Sequence, residues 1–259
     1  MNILLLGIDA RPGEGWLARS DANIVIRLDP SSGRAAMLSL PRDLWVAIPG
    51  IGEGKLNSAY FLGERKGRGA AVAKATVGQA LGITIHHAVV IDFAGFRSLI
   101  DALGGVPVDV PRELYDPKFP TEDYGYTVAH FTPGTEVMNG ERALIFSRIR
   151  HPDSDFQRIR RQQLVLLGIA RKLRERGILQ NLHEADRITA ALVPFVRGDV
   201  SQPLALKLLW AMRSVNPNEV RRLTADGSML GEANIGGAYA LVANESVLHN
   251  LGAQLTGAQ

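Results

Sequence analysis

Cysteine is absent from all 259 residues, which excludes disulfides, thiolate nucleophiles and Cys-based zinc sites and leaves the redox compartment open. No apolar run approaches the roughly 20 residues needed to cross a bilayer. The opening Met1-Asn2-Ile3-Leu4-Leu5-Leu6-Gly7 is too short and too strand-like for a signal peptide. Because the first strand starts at residue 2 with no lead-in, an N-terminal anchor is expected to have been truncated, and the chain as it stands reads as soluble. Lysine is scarce, since the 29 basic residues divide into six Lys and 23 Arg. Several signatures are also missing. The second Gly position of a dinucleotide fingerprint is Asp9, and neither a Gly-x-Ser-x-Gly elbow nor a Walker loop occurs. His86-His87 is no chelating pair, because adjacent residues of a strand point to opposite faces.

What the chain does have is 46% hydrophobic content, enough to bury a sizeable core at the upper end of single-domain length. One domain over residues 1–259 is expected. Net charge is only +3, yet arginine dominates, and its planar fork suits bidentate binding of phosphate or carboxylate. In Met37-Leu38-Ser39-Leu40-Pro41-Arg42-Asp43, an apolar strand runs into a proline that cannot extend it, which delivers Arg42 at a strand exit where α/β folds gather ligands. A second set, Arg148, Arg150, Asp155, Arg158, Arg161 and Gln162, asks for the same kind of partner, and together the two suggest a shared anion.

Strands are expected at 2–8, 22–28 and 34–40, the last two joined as a hairpin by Asp29-Pro30-Ser31-Ser32-Gly33. A short strand at 46–48, a helix from 70 to 81 closed by Gly82, a buried strand at 88–92 and a helix from 93 to 103 follow. Residues 106–110 read as an edge strand because they contain Pro107. Residues 111–134 read as a long surface excursion with little periodicity. Helices are expected at 139–146 and 154–176, near 183–195 and 203–214, and at 244–255, with a strand near 220–224. On the 154–176 helix, Ile159, Leu166, Ala170 and Leu173 form an apolar stripe, while Asp155, Arg158 and Gln162 share another face at i, i+3 and i+7. This order implies an α/β (α+β) fold with a central mixed sheet, an antiparallel hairpin and helices on both faces.

Nine motifs in order carry a resemblance. They are Gly7-Ile8-Asp9, Arg19-Ser20-Asp21, the Met37–Asp43 stretch, Lys55-Leu56-Asn57-Ser58-Ala59-Tyr60, Asp92-Phe93-Ala94-Gly95-Phe96, Gly104-Gly105-Val106, Asn139-Gly140-Glu141-Arg142-Ala143-Leu144, Arg148-Ile149-Arg150, and the run from Asp155 to Gln163. The chain resembles the LytR-CpsA-Psr family, densely over residues 2–175 and loosely over 176–259. The resemblance implies an extracytoplasmic bacterial phosphotransferase that moves a glycopolymer from an undecaprenyl-type pyrophosphate carrier onto peptidoglycan or a related wall polymer. It implies that Asp9 and Asp21 hold Mg²⁺ (or Mn²⁺), and that Arg19, Arg42, Lys55, Arg148, Arg150, Arg158 and Gln162 clamp the pyrophosphate. The family's N-terminal transmembrane helix is not represented in this sequence.

Phosphoryl transfer rests on in-line positioning and neutralisation of phosphate charge, and Mg²⁺ commonly binds through one or two carboxylates plus substrate phosphates. The residue types fit both needs. Asp155 is a candidate base for an incoming sugar hydroxyl, or simply the intrahelical partner of Arg158. Phe93, Phe96, Leu99, Ile100 and Leu166 are candidates to line a prenyl channel, or ordinary core. Competing functions are hydrolysis of a lipid or nucleotide pyrophosphate, a non-catalytic lipid-binding module, and nucleic-acid binding through the basic helix at a pI near 9.3. Against the last stand an aromatic content of 6% and the repulsion between the paired Asp residues and a nucleic-acid backbone.

Overall fold

Strand β1 (Asn2–Ile8) is almost wholly apolar because both of its faces are covered, and β6 (His87–Ile91) runs parallel beside it. On its other side β1 pairs antiparallel with β2 (Ser20–Asp29), which turns back into β3 (Arg34–Leu40). The edges are β11 (Val196–Gly198), antiparallel to β6, and β12 (Arg221–Thr224), parallel to β3. The resulting six-stranded mixed sheet has the order β11-β6-β1-β2-β3-β12. A computed structural model describes residues 1–10, 15–29, 32–150, 153–175, 196–201, 203, 204, 208 and 215–257. The helices expected near 183–195 and across most of 203–214 lie outside the described residues.

One face of the sheet buries Leu4, Leu6, Ile8, Val25, Leu38 and Val90. Against it pack α1 (Leu56–Glu64), α2 (Gly69–Leu81) and α6 (Glu245–Thr256), with β4 (Trp45–Ile48). Helix α2 ends on Gly82 at φ 64°, the left-handed cap that glycine adopts without strain. The opposite face presents Ile24 and Met37 to Leu167 of α5 (Asp155–Glu175). Around α5 a second core gathers α3 (Phe93–Ala102), β7 (Val106–Val110), β10 (Gly134–Met138) and α4 (Gly140–Arg148). At Gly168 the α5 backbone meets β7 so closely that an added Cβ would lie 2.5 Å from the Pro107 carbonyl oxygen. Among the described residues, no helix is long and apolar enough to cross a membrane.

Two expectations need correction, and one helix was not foreseen. Residues 111–134 are not irregular, since β8 (Leu114–Pro120) and β9 (Tyr126–Phe131) form a hairpin. Its inward residues Leu114, Asp116, Phe119, Ala129 and Phe131 are thrown out of strict alternation by a register shift between Asp116 and Phe119, which hid the strand period. The helix at 56–64 was not anticipated. On α5 the buried set is not a clean apolar stripe, because Arg158, Arg161 and Gln163 are buried while Leu166 and Ala170 are only partly so. Strand β7 keeps the free edge expected from Pro107: among the described residues it pairs only with β10, in a separate two-stranded ribbon.

Candidate functional site

Two features of the central sheet bring acidic groups to one place. Gly7 faces Ala22 and Ile8 faces Ser20, so Asp21 is the extra, unpaired residue of a bulge in β2, a device that re-aims a side chain beside a site. The bulge is braced by buried Ser20, whose hydroxyl donates to Asn23 Oδ1 at 2.7 Å. Asp9 follows the end of β1. Both carboxylates line a cavity of about 310 Å³ between the sheet, α3, α4, α5 and the end of β8.

Arg42 enters from the turn after β3, as the Pro41 stop predicts, and donates through one terminal nitrogen to Asp21 Oδ1 at 2.8 Å. Arg148 and Arg150 come from the end of α4, where the chain leaves the helix in extended conformation at Ile149. Arg158 and Gln162 come from α5. Thus four guanidiniums from three separated stretches share one cavity with Asp9, Asp21 and Asp92, the last of which caps α3. The rest of the wall is apolar, with Leu5, Ile24, Phe93, Phe96, Phe119, Leu144, Val165 and Leu166 among its members.

The charges are unevenly compensated. Burial disfavours the Arg42 cation, but Asp21, Asp155 and Asp43 outweigh it and hold its pKa above the ordinary value. For Arg158, only 4% exposed at its side chain, burial prevails over the attraction of Asp155 and Asp21, and the pKa falls. Its Nε has no hydrogen-bond partner among the described residues. A buried, under-compensated guanidinium facing a cavity is electrostatically suited to an anion.

Several expected site residues are elsewhere. Lys55 does not reach the wall. It bonds Asp43 at 2.7 Å, and Asp43 lies 3.4 Å from Arg42 Nε, so Lys55 braces Arg42 from behind. Arg19 is exposed and outside the wall. Asp155 is also off the wall, engaged with Arg158 at 2.9 Å and 3.8 Å from Arg150, which makes it a counter-ion for the clamp. Ile100 is fully buried and Leu99 partly buried in the α3–β7 core, so neither lines the cavity, whereas Phe93, Phe96 and Leu166 do. Arg161 belongs to a buried pair with Asp153 and donates to the Phe146 and Ile149 carbonyls. It shapes the Arg148–Arg150 exit and does not face the site.

Sequence reasoning missed Phe119, Pro120, Leu144, Ser147 and Asp92 in the wall. Asp92, read from the sequence as the last residue of a strand, caps α3 instead, accepting from the Gly95 amide at 2.7 Å. Phe119 had no local signal once its hairpin was read as irregular.

Mg²⁺ can be tested against the donor set. Asp9 and Asp21 offer hard oxygens from adjacent strands, and among the described residues no group of three or more His or acidic side chains could form an all-protein cage. Two carboxylates with substrate phosphates completing the sphere suit Mg²⁺, so the residues fit.

Comparison with known proteins bears on the same stretch of chain. The LytR_cpsA_psr family matches residues 1–256. The chain is 32% identical over 260 residues to "Polyisoprenyl-teichoic acid--peptidoglycan teichoic acid transferase TagU" of Oceanobacillus iheyensis, covering 99% of this chain and 75% of that protein. A protein of the same name from Enterococcus faecalis is 36% identical over 204 residues, 77% of this chain and 61% of the relative. A solved structure described as "TagT bound to LI-WTA" superposes with a TM-score of 0.78 at 28% identity, over 100% of this chain and 90% of the other.

Proposed function

Since the chain belongs to the LytR_cpsA_psr family, we propose that it is a phosphotransferase that moves a glycopolymer from a polyprenyl, undecaprenyl-type pyrophosphate carrier onto peptidoglycan or a related cell-wall polymer. Teichoic acid is the glycopolymer named for the relatives and is the substrate class proposed first. The observation that carries the reading is the joining, in one cavity, of Arg42, Arg148, Arg150 and Arg158 to a wall of Phe93, Phe96, Val165 and Leu166. One half matches a diphosphate, the other a prenyl chain. On this reading residues 1–259 form a single catalytic domain, and the full-length protein works at the extracytoplasmic face of the bacterial membrane, where carrier and wall meet.

The chemistry follows from these groups. The guanidiniums bind the diphosphate oxygens and spread their positive charge over those that gain charge as the bridging P–O bond lengthens. An acceptor hydroxyl forms the new P–O bond to the phosphorus bearing the glycopolymer, and its proton passes to the departing prenyl phosphate. The bridging bond breaks, and prenyl phosphate leaves with the electron pair. Arg158, held in the helix by Asp155, needs little reorganisation to meet that charge. Asp9 and Asp21 would hold Mg²⁺, which when bound supplies further neutralisation of the diphosphate. The apolar wall excludes water, which strengthens each of these interactions. Water in place of the acceptor would give pyrophosphate hydrolysis, so a pyrophosphatase side activity belongs to the proposal.

The test is transfer from a prenyl-pyrophosphate-linked glycan to a wall-polymer acceptor. Arg42→Ala and Arg148→Ala should each cut transfer by roughly a hundredfold or more, to a residual rate that can still be measured, and weaken prenyl pyrophosphate binding while leaving the fold intact. Normal transfer by both variants would overturn the reading. Product analysis with and without acceptor separates a transferase from a simple hydrolase.

A further inference from the structure

Arg148 differs from its neighbours in the clamp. Arg42 is tied to Asp21 and Arg158 to Asp155, but among the described residues the Arg148 side chain makes no hydrogen bond or ion pair. Its guanidinium instead lies 4.4 Å from the Phe93 ring centroid and 5.4 Å from that of Phe119. Both rings are nearly buried, at 9% and 4% exposure, and both line the cavity.

Resting on the proposed function, we propose that Phe93 and Phe119 are positioning residues for the transfer reaction: by holding Arg148 against their ring faces, they leave its N–H donors for the diphosphate. A carboxylate would orient the guanidinium too, but at the cost of occupying donors and cancelling charge. An aromatic face attracts the cation through the ring quadrupole and contacts it flat, leaving the N–H edge open.

The two rings arrive by different routes. Phe93 opens α3, set by the Asp92 cap, whereas Phe119 belongs to β8. The β8–β9 turn is tied back to α3 by a two-pronged ion pair, in which Arg97 donates to both carboxylate oxygens of Glu122 at 2.5 and 3.3 Å. Docking of the hairpin and placement of Arg148 are therefore linked.

The experiment measures kcat and KM for transfer with Phe93→Leu, Phe119→Leu and Phe119→Tyr, each in the wild-type and Arg148→Ala backgrounds, alongside melting temperature. Leucine keeps an apolar wall but removes the ring face, and tyrosine keeps the face. Each Leu variant should lose about tenfold in kcat/KM, chiefly in kcat, with little change in melting temperature. Phe119→Tyr should retain activity, and the Leu changes should cost nothing further once Arg148 is Ala. Should Phe119→Leu fold poorly, Phe93→Leu alone decides the outcome. Neutral Leu variants, or equal losses in both backgrounds, would overturn the positioning role while leaving the transferase reading intact. An Arg148→Ala protein that transfers normally would overturn the positioning role together with the place of Arg148 in the clamp.

Discussion

Arg42 and Asp21 form a 2.8 Å ion pair at the mouth of the cavity, with Asp43 and Lys55 ranked behind the guanidinium. One carboxylate oxygen proposed for the metal is thus already held by the cation proposed for the phosphate. The pair is partly exposed, at 20% and 32%, so its net attraction is small, but it couples two binding events.

Arg42→Ala should therefore separate them. Transfer falls, yet Mn²⁺ binding to the ligand-free protein tightens roughly fivefold, about 1 kcal/mol, because a neighbouring positive charge is gone. Titration followed by electron paramagnetic resonance reads this directly. Unchanged or weaker Mn²⁺ affinity would argue against Asp21 as a metal ligand.

Asp153→Asn should be costly away from the cavity. Asp153 and Arg161 are 6% and 4% exposed, with contacts of 2.6 and 3.1 Å, and Arg161 also holds the Phe146 carbonyl at 3.1 Å. Leaving that guanidinium without its anion should cost about 3 kcal/mol, as for other broken buried pairs. Urea unfolding gives the value, and a loss below a few tenths would contradict this role.

Gly140→Ala tests the contact between α3 and α4. A Cβ at Gly140 would lie 2.4 Å from the Arg97 carbonyl oxygen and 2.6 Å from its Cα, and backbone on both sides cannot yield cheaply. Destabilisation of about 1 to 3 kcal/mol is expected, together with reduced transfer because α4 carries Arg148. An unaffected melting temperature would mean that the helices are farther apart than described.

Stability should fall at high pH through Tyr60. Burial first, and Glu64 second, raise its pKa from 10.0 to about 12, so the folded protein holds the phenolic proton more tightly than the unfolded chain does. The stability is fully present below pH 10 and drains away as pH rises toward 12, by about 2 to 3 kcal/mol in all. The hydroxyl has no hydrogen-bond partner among the described residues, so Tyr60→Phe should cost little at neutral pH and flatten the alkaline limb. A variant with the wild-type alkaline profile would place the titration elsewhere.

The central strands were legible because β1, β2 and β3 are short, mostly apolar runs bounded by turn residues, and α2 because Gly82 closes it as local chemistry requires. Arg42 was legible from Pro41. The β8–β9 hairpin was not, since its bulge breaks the alternation on which a strand reading depends, and with it went Phe119. Lys55 and Arg19 were expected among the pyrophosphate ligands and Asp155 as a base or as the partner of Arg158, yet none of the three lines the cavity, because whether a charged residue faces a cavity depends on the packing of other elements.

From the sequence alone came the mixed fold, the arginine sets proposed to bind an anion and the family, since strand periods and ordered motifs are properties of neighbouring residues. Only the folded chain decided which guanidiniums face the cavity, which ones brace others, and that the Arg148 guanidinium lies over two aromatic rings. Those distinctions depend on the meeting of side chains from β8, α3 and α4, and no local stretch of sequence encodes the distance between them.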